Sequence, residues 1–449
     1  MQLQHLVQFE QFLQARVLYP CHILLGIERL VLRVHVLECH PRGQYIKVKP
    51  VNPLAKKARN HLWATFFVMG ISSMAWVPRI PEIKDQLGLR DGQFGLVFLA
   101  GALGSVMGTQ IAGRAIHLMA SKNFARICAL LMPIGIFTMG SAHSVITLII
   151  GLFITGLSFA AIDVSANVQA MAIEKLTRAR YMSSFHALWS VGAFVVTLFG
   201  GVLAKHITPQ QHLKYLALIS VILYFFTING LLNAAMDGHK GEAHESTEAK
   251  IPLFSKETLP LWALGIGLLA SFVPEAGIYD WSGILLQDHM QVGKGVTAVA
   301  ATFYSLGMIV SRFLGDRWFE KWGHLKTVKF GGYIGGISLG IGLIIGIPLS
   351  NKSNFAGVAL LSVSFAIVGL CMGPLFPAFN LAAMSVPGIA PSVGMARVAL
   401  ISIAGNFFGP ALIGGISELT SLPISFGLIA CLLLLVGRQS RYILVKAVK

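Results

Sequence analysis

The sequence predicts an all-α integral membrane protein in which twelve transmembrane helices form two six-helix bundles. Apolar residues make up 55% of the 449-residue chain and charged residues only 12%, whereas a soluble domain carries roughly 25% charged residues. Long apolar runs recur from His61 onward, and the basic residues lie in short clusters between them. Such clusters are typical of membrane loops, whereas a nucleic-acid-binding protein needs a basic face on a folded domain.

Twelve apolar segments of roughly 19 to 28 residues are each long enough to cross a hydrocarbon core about 30 Å thick. The predicted spans cover 61–79, 93–116, 124–142, 145–172, 183–204, 214–235, 259–285, 296–314, 326–348, 354–377, 392–416 and 420–438. The longest polar tract after the N-terminal region follows the sixth span. It therefore divides the array six plus six.

The domain organisation follows from these segments. Residues 1–54 contain no uncharged run long enough to span a bilayer, and we expect a disordered extension or an artefact of an upstream start codon. We predict an N-terminal bundle at 55–235, a cytoplasmic central loop at 236–258, and a C-terminal bundle with a short cytoplasmic tail at 259–449. The five cysteines form no CxxC pair and the Cys-His pairs of the extension have no common zinc spacing, so we expect neither a metal nor a cofactor.

The distribution of basic residues predicts the orientation. Loops on the side of both termini carry 21 Lys and Arg residues, and loops on the opposite side carry 7. Under the positive-inside rule, this bias places both termini and the central loop in the cytoplasm. That placement requires an even number of spans, as twelve is.

Three acids lie inside predicted spans, where a central charge costs about 2.5–3.5 kcal/mol and normally faces a cavity. Asp163 is in the middle of the fourth span, and Asn167 lies four residues further on, so both share one helix face. The Asp163 carboxyl is a candidate for proton coupling, and the Asn167 amide is a candidate for binding a polar substrate. The alternative is a hydrogen-bonded pair that only fastens helices together.

The seventh span holds the other two acids, Glu275 and Asp280, which we also predict to take part in proton coupling. Glu275 shares a face with Tyr279, whereas Asp280 points elsewhere on the helix. Trp281 lies near the outer end of the span, where it is either a substrate contact or an interfacial anchor. Pro274 is expected to break the backbone hydrogen-bond ladder beside Glu275.

Two further regions contribute candidates for substrate binding. In the fifth span His186, Trp189 and Ser190 share a face. An aromatic ring beside hydrogen-bonding groups is how proteins hold sugars, although ordinary packing gives the same pattern. Asn380, just after the tenth span, is a further polar candidate.

Several tracts, in this order, resemble those of one known family. They are 76–84 after the first span, 163–167 in the fourth, 183–186 in the fifth, 275 with 280–282 in the seventh, and Gly315-Asp316-Arg317 followed by Gly323 between the eighth and ninth. From about Asn60 to Lys449 the chain resembles the major facilitator superfamily. It is more closely similar to the bacterial inner-membrane members related to fucose–proton symporters.

The resemblance implies two six-helix bundles around a central cavity, alternating access by rocking of the halves, and a location in the bacterial inner membrane. It places Asp163 where these symporters carry an acidic proton-coupling residue, and His186 near a sugar-contacting position. It also makes Gly315, Asp316 and Arg317 a cytoplasmic gating loop. Two departures are present: the loop at 113–119 lacks the expected aspartate, and the first span has no acid, a role for which Glu275 is the available substitute.

We therefore predict a secondary active transporter, not an enzyme, that moves a small polar solute by proton-coupled symport, with a sugar as the first candidate and a monomer as the expected state. A proton-driven exporter of drugs or metabolites is the main alternative, favoured if the cavity is lined by Met372, Phe376 and Phe379. A non-transporting membrane sensor is a second alternative, and it would depend on residues 1–54. A membrane-embedded enzyme is disfavoured, because no acid completes a relay with His186 and Ser190.

Overall fold

The computed structural model describes residues 53–238, 258–389 and 391–443, and all the regular structure in these ranges is helical. The predicted extension at 1–54 lies outside the described residues except for its last two positions, and the predicted central loop lies outside them at 239–257. The described part of the chain forms one compact unit.

The helices follow the predicted order of spans. Spans 1 to 6 are Pro53–Ser73, Asp91–Met119, Ser121–Met139, Val145–Thr177, Met182–Leu203 and Pro209–Asn229. Span 7 is Leu259–Met290. Spans 8 and 9 lie within one helix at Val299–Ile341, which continues through Gly342–Gly346 to Ile347–Ser350. Span 10 comprises Asn354–Met372 and Leu375–Met384, span 11 is Pro391–Leu419, and span 12 is Leu422–Gln439. A 3₁₀ turn, Val77–Arg79, and a short helix, Ile80–Gln86, join spans 1 and 2.

In the part of the chain that the structure describes, ten helical segments are long and apolar enough to cross a membrane, and one of these, Val296–Ser350, contains both spans 8 and 9. These ten segments account for eleven of the twelve predicted spans, and span 1 is the one that they do not include. It begins at Pro53 and ends at Ser73, whereas the sequence predicted 61–79. The prediction was wrong here because Lys56, Lys57 and Arg59 lie in the first two turns of the helix, outside any apolar window. With this shift the twelve-span fold is confirmed.

The two halves repeat one packing pattern. Spans 1 and 5, 2 and 4, and 3 and 6 pack together, as do spans 7 and 11, 8 and 10, and 9 and 12. The halves meet where span 2 packs against span 11 and span 5 against span 8. The approach is close: a Cβ at Gly108 of span 2 would lie 2.2 Å from the Leu157 carbonyl oxygen of span 4. The glycines of span 2 thus allow its backbone to lie directly against that of span 4.

The end of the bundle at which span 1 begins is called here the near end, and the opposite end the far end. At the near end Asp237 is buried and accepts hydrogen bonds from the backbone N–H of Ser121 at 2.9 Å and its hydroxyl at 2.7 Å. Gln169 of span 4 donates to the Ser121 Oγ at 2.8 Å and to the Leu232 carbonyl at 3.0 Å. The predicted central loop from 236 is therefore fixed at its start, because Asp237 is hydrogen-bonded to Ser121 of span 3.

The far end is closed by ion pairs between the halves, which we call the far-end seal. The pairs that cross are Lys84–Asp288 at 3.8 Å, Arg90–Glu418 at 3.0 Å and Lys294–Glu82 at 3.3 Å. Beneath them the ring of Trp281 from span 7 packs on Phe94 and Phe98 of span 2, with centroids 5.8 and 6.0 Å apart. Charge pairing and aromatic packing together hold the halves closed at this end.

Arg79 supports the seal from within the N-terminal half. Its side chain is fully buried. Its Nη1 donates to Glu82 at 2.8 Å and its Nε donates to the Nδ1 of His212 at 3.1 Å. Because Glu82 also pairs with Lys294, Arg79 positions the carboxylate that reaches the other half.

We expect Arg79→Gln to lower the thermal unfolding temperature of the purified protein far more than Arg90→Gln. Breaking a buried ion pair by removing one partner costs about 3–5 kcal/mol, because the remaining charge stays buried. Arg90 has a side chain that is 73% exposed in its pair with Glu418, and exposed pairs contribute about 0.2–1 kcal/mol. Equal effects of the two substitutions, measured in the same detergent, would contradict this account.

Corresponding turns of the two halves share one unusual backbone conformation. Ala120, between spans 2 and 3, has φ 71° and ψ 154°. Gly323, between spans 8 and 9, has φ 76° and ψ 161°. Only glycine adopts this region without strain. The first half therefore carries a strained alanine where the second half has a glycine.

We expect Ala120→Gly to raise the thermal unfolding temperature and Gly323→Ala to lower it. The strain at such a position is worth about 1–3 kcal/mol, which exceeds the roughly 0.4–1 kcal/mol by which glycine favours the unfolded chain. A Cβ at Gly323 would meet no atom within 4 Å, so the loss there reports backbone strain alone. The same sign of change in both variants would show that the backbone conformation is not the cause.

Candidate functional site

A cavity of about 690 Å³ opens at the near end, between the two halves. It lies between the connection of spans 4 and 5 and the near-end half of span 8. The side chains that line it include three acids, two arginines and a histidine: Glu174, Asp316, Glu320, Arg180, Arg312 and His324. With the far end sealed, the cavity gives the space between the halves an opening on one side.

Arg312 of span 8 connects the two halves at this cavity. Its Nη1 donates a hydrogen bond to the main-chain oxygen of His186 at 2.7 Å and a second one to the hydroxyl of Ser190, both on span 5. Its guanidinium carbon lies 5.5 Å from the centre of the Trp189 ring, a cation–π distance. The Arg312 guanidinium of the second half thus contacts the helix face predicted for His186, Trp189 and Ser190.

The carboxyl group of Glu275 belongs to the same region, since the Arg312 charge acts on it electrostatically. Tyr279, one turn further along span 7, shares a hydrogen bond of 3.0 Å with Ser305. Its ring meets that of Tyr304 edge to face at 5.1 Å. We call the group formed by His186, Trp189, Glu275, Tyr279, Tyr304 and Arg312 the central cluster. Despite Pro274, the span 7 helix continues without interruption through this cluster.

Asp163 and Asn167 form a second polar group, within span 4. The Asn167 Nδ2 donates to the Asp163 Oδ2 at 3.1 Å and to its main-chain oxygen at 2.9 Å. Both side chains are half-buried. The shared face predicted from their spacing is confirmed. Among the described residues, Asn167 is the one hydrogen-bond partner of the Asp163 side chain.

Three other predicted site residues lie apart from these groups. Asp280 is half-buried, with no electrostatic link to Glu275 or Arg312 in the described structure. Trp281 is fully buried in the far-end seal, so it is not the interfacial anchor weighed as an alternative, and in this conformation its ring is closed to a solute. Asn380 is half-buried on the short helix Leu375–Met384.

The predicted gating loop is helical. Gly315, Asp316 and Arg317 continue span 8 without a break, and the helix is interrupted only at Gly323. The loop assignment was wrong because the charges at 316–321 end the apolar run while the backbone remains helical. Asp316 lines the cavity and Arg317 is exposed, so these residues lie at the near end, where the sequence placed the gate.

Sequence reasoning missed Arg312, which joins span 8 to span 5 at the cavity. A signal was available: Arg312 lies inside the predicted apolar span 296–314, where a charge is costly. Its partners could not be inferred, because they lie 122 and 126 positions away and one of them is a main-chain oxygen.

Within the described ranges, no group of three or more His, Cys, Asp and Glu side chains is arranged to hold a metal ion. The side chains of the two polar groups can bind polar or charged ligands and exchange protons. Tyrosine, histidine and carboxyl side chains are the groups available for that exchange.

Proteins of known sequence and structure share this arrangement. The sequence profile of the Major Facilitator Superfamily matches residues 62–393. An uncharacterized MFS-type transporter of Yersinia pestis is 30% identical over 390 residues, which cover 84% of this chain and 93% of that protein. The membrane protein MosC of Rhizobium meliloti is 25% identical over 372 residues, covering 83% of this chain and 86% of its own.

Two solved structures have the same fold. The nucleoside transporter NupG aligns with a TM-score of 0.64 and 14% identity over 88% of this chain and 100% of its own. A bacterial homolog of the human lysosomal transporter Spinster, inward-facing and unoccupied, aligns with a TM-score of 0.65 and 15% identity over 88% of this chain and 98% of its own. The profile match, the 30% identical relative and the twelve spans together show that this chain belongs to the major facilitator superfamily of membrane transporters.

Proposed function

We propose that this transporter is a proton-coupled symporter of a small polar solute, with a sugar as the first candidate. The observation that carries the proposal is the Asp163–Asn167 pair, half-buried in the middle of an apolar helix. An ionisable side chain is costly inside a bilayer and is usually functional there. The proposal includes a location in the bacterial inner membrane, which the resemblance implies, and cytoplasmic termini, which the basic residues predict.

The chemistry of the pair suits coupling. The ionised Asp163 carboxylate only accepts hydrogen bonds, and it accepts one from Asn167 at 3.1 Å. A proton on the carboxyl adds a donor while the Asn167 bond is kept. Protonation thereby changes the hydrogen-bonding groups that the pair offers to a solute hydroxyl without any movement of span 4.

Alternating access is supported by the asymmetry between the two ends. The far end carries three ion pairs between the halves, while the near end has the cavity of about 690 Å³. The Spinster homologue that aligns with this chain was captured facing inward. A carrier of this kind exposes its site to one side at a time.

The lining of the cavity weighs against the exporter alternative. An apolar cavity lined by Met372, Phe376 and Phe379 would favour that alternative. Met372 and Phe379 are buried, and Phe376 is exposed but does not line the near-end cavity, which is rich in charged side chains. Such a lining supports a polar solute.

We expect Asp163→Asn to abolish pH-dependent, solute-evoked charge movement in proteoliposomes on a solid-supported membrane. The amide cannot take up a proton, so the coupled step is lost while a solute can still bind. Native protein and variant are compared over a panel of neutral sugars and polyols, at a mildly acidic and a mildly alkaline pH.

Asp163→Glu is the matched control, because it retains a carboxyl group at the same position. We expect it to restore part of the pH-dependent current. A current of full size and unchanged pH dependence in Asp163→Asn would refute coupling through this residue, and a flux driven by sodium and insensitive to pH would refute proton coupling altogether.

A further inference from the structure

We infer that the transported solute carries a carboxylate group that binds to Arg312, and that a proton on Glu275 makes Arg312 available to it. The inference rests on the proposed function and specifies its substrate class: sugar acids and other small carboxylates rather than neutral sugars. It also makes Arg312, which the sequence pattern did not single out, the residue that determines specificity.

The contacts of Arg312 leave room for a ligand. Both of its hydrogen bonds to span 5 come from Nη1. Among the described residues, its Nε and Nη2 donate no hydrogen bond. The side chain is half-buried and lines the near-end cavity. The free Nε and Nη2 form one donor edge of the guanidinium, which matches the two oxygens of a carboxylate, the geometry in which arginine binds oxyanions most strongly.

A second group beside Arg312 also has no partner. The indole Nε1–H of Trp189 is buried and makes no hydrogen bond in the described structure. This N–H donates only, so it suits an acceptor oxygen and not a cation. The ring lies 5.5 Å from the guanidinium carbon, within reach of one small solute. An uncommitted guanidinium edge in the cavity, with a second unpaired donor buried beside it, points to an anionic ligand.

Glu275 controls the availability of Arg312 because its carboxylate can balance the charge of the guanidinium. An isolated guanidinium at membrane depth is costly. Glu275 lies one turn from Tyr279, which shares a hydrogen bond with Ser305 of span 8, two turns before Arg312, and the two charges interact electrostatically. While Glu275 is ionised, it balances the Arg312 charge and competes with an external carboxylate. Once Glu275 is protonated, Arg312 is left unbalanced and an anion binds in its place. Proton and solute therefore bind together.

The other titratable groups near Arg312 and Glu275 are His186, Tyr279, Tyr304 and Asp316. His186 on span 5 offers Arg312 its main-chain oxygen, while its ring packs edge to face on Phe66 at 5.1 Å. Tyr279 and Tyr304 are the other titratable groups in electrostatic contact with Glu275. Spans 10, 11 and 12 also pack near span 7, and within the described ranges they add no titratable group to this contact. Asp316 lies one turn from Arg312 on the same helix and lines the cavity mouth.

The test compares three sugars with one scaffold and different charge: D-glucuronate, D-glucose and D-glucosamine. Their binding to the purified full-length protein is measured by calorimetry and thermal shift at a mildly acidic and a mildly alkaline pH. We expect glucuronate to bind most tightly, and more tightly at the acidic pH. Loss of hydrogen bonds to a charged group predicts that Arg312→Gln weakens glucuronate binding about tenfold to hundredfold.

Two further variants keep the test valid if Arg312→Gln folds poorly. Glu275→Gln mimics the protonated carboxyl, so we expect it to bind glucuronate equally well at both pH values. Arg312→Lys keeps the charge without the planar fork, so it should retain part of the preference for glucuronate. Arg438→Gln is the matched control, because Arg438 is exposed at the end of span 12, away from the cluster, and it should bind as native protein does.

The inference is overturned if glucose binds as tightly as glucuronate, if Arg312→Gln keeps the preference for glucuronate, or if glucuronate does not bind at the acidic pH. These failures differ from a failure of the proposed function. If neutral sugars evoke proton-coupled currents that Asp163→Asn abolishes, the symporter proposal holds and the inference of a carboxylate solute is wrong. If glucuronate binds through Arg312 while Asp163→Asn leaves the coupling unchanged, the carboxylate inference holds and coupling through Asp163 is wrong.

Discussion

Close backbone packing through small residues is the constraint on which the rest of this fold depends. Within a bilayer, lipid tails are as apolar as the helix surfaces, so burial alone gives helices little reason to associate. Spans 2 and 4 instead meet through glycines, and a Cβ on Gly156 would lie 2.0 Å from the Gly101 carbonyl oxygen. Spans 8 and 10 repeat this contact, where a Cβ on Gly369 would lie 2.1 Å from the Tyr304 carbonyl oxygen. Tyr304 is thereby fixed in the central cluster.

The two halves share this packing but differ in chemistry. The first half holds the Asp163–Asn167 pair, and the second supplies Glu275 and Arg312 to the central cluster. The near-end turn after span 2 has no aspartate, whereas span 8 carries Asp316 at its near end. A repeated scaffold thus supports two unequal polar groups. Rocking of the halves would change the distance between span 5 and span 8, and the Arg312 contacts lie at that junction.

Much of the fold could be predicted because it depends on local pattern. Apolar length marked the spans, and spacing along one helix placed Asn167 beside Asp163. Features that depend on distant parts of the chain could not be predicted. The far-end pair of Arg90 and Glu418 joins residues 328 positions apart, and neither residue stands out in the sequence. The charged residues before Gly323 favoured a loop in the sequence, whereas the backbone there is helical and is interrupted only at Gly323 itself.

The bond from Arg312 to span 5 ends on the main-chain oxygen of His186, and this choice of acceptor bears on how such a carrier can diversify. A main-chain oxygen is present whichever amino acid occupies position 186. A substitution there can therefore alter the shape of the proposed solute site while the bond between the halves persists. Selectivity can then change without loss of the contact between the halves, so relatives that differ at this position could bind different solutes and keep the same junction.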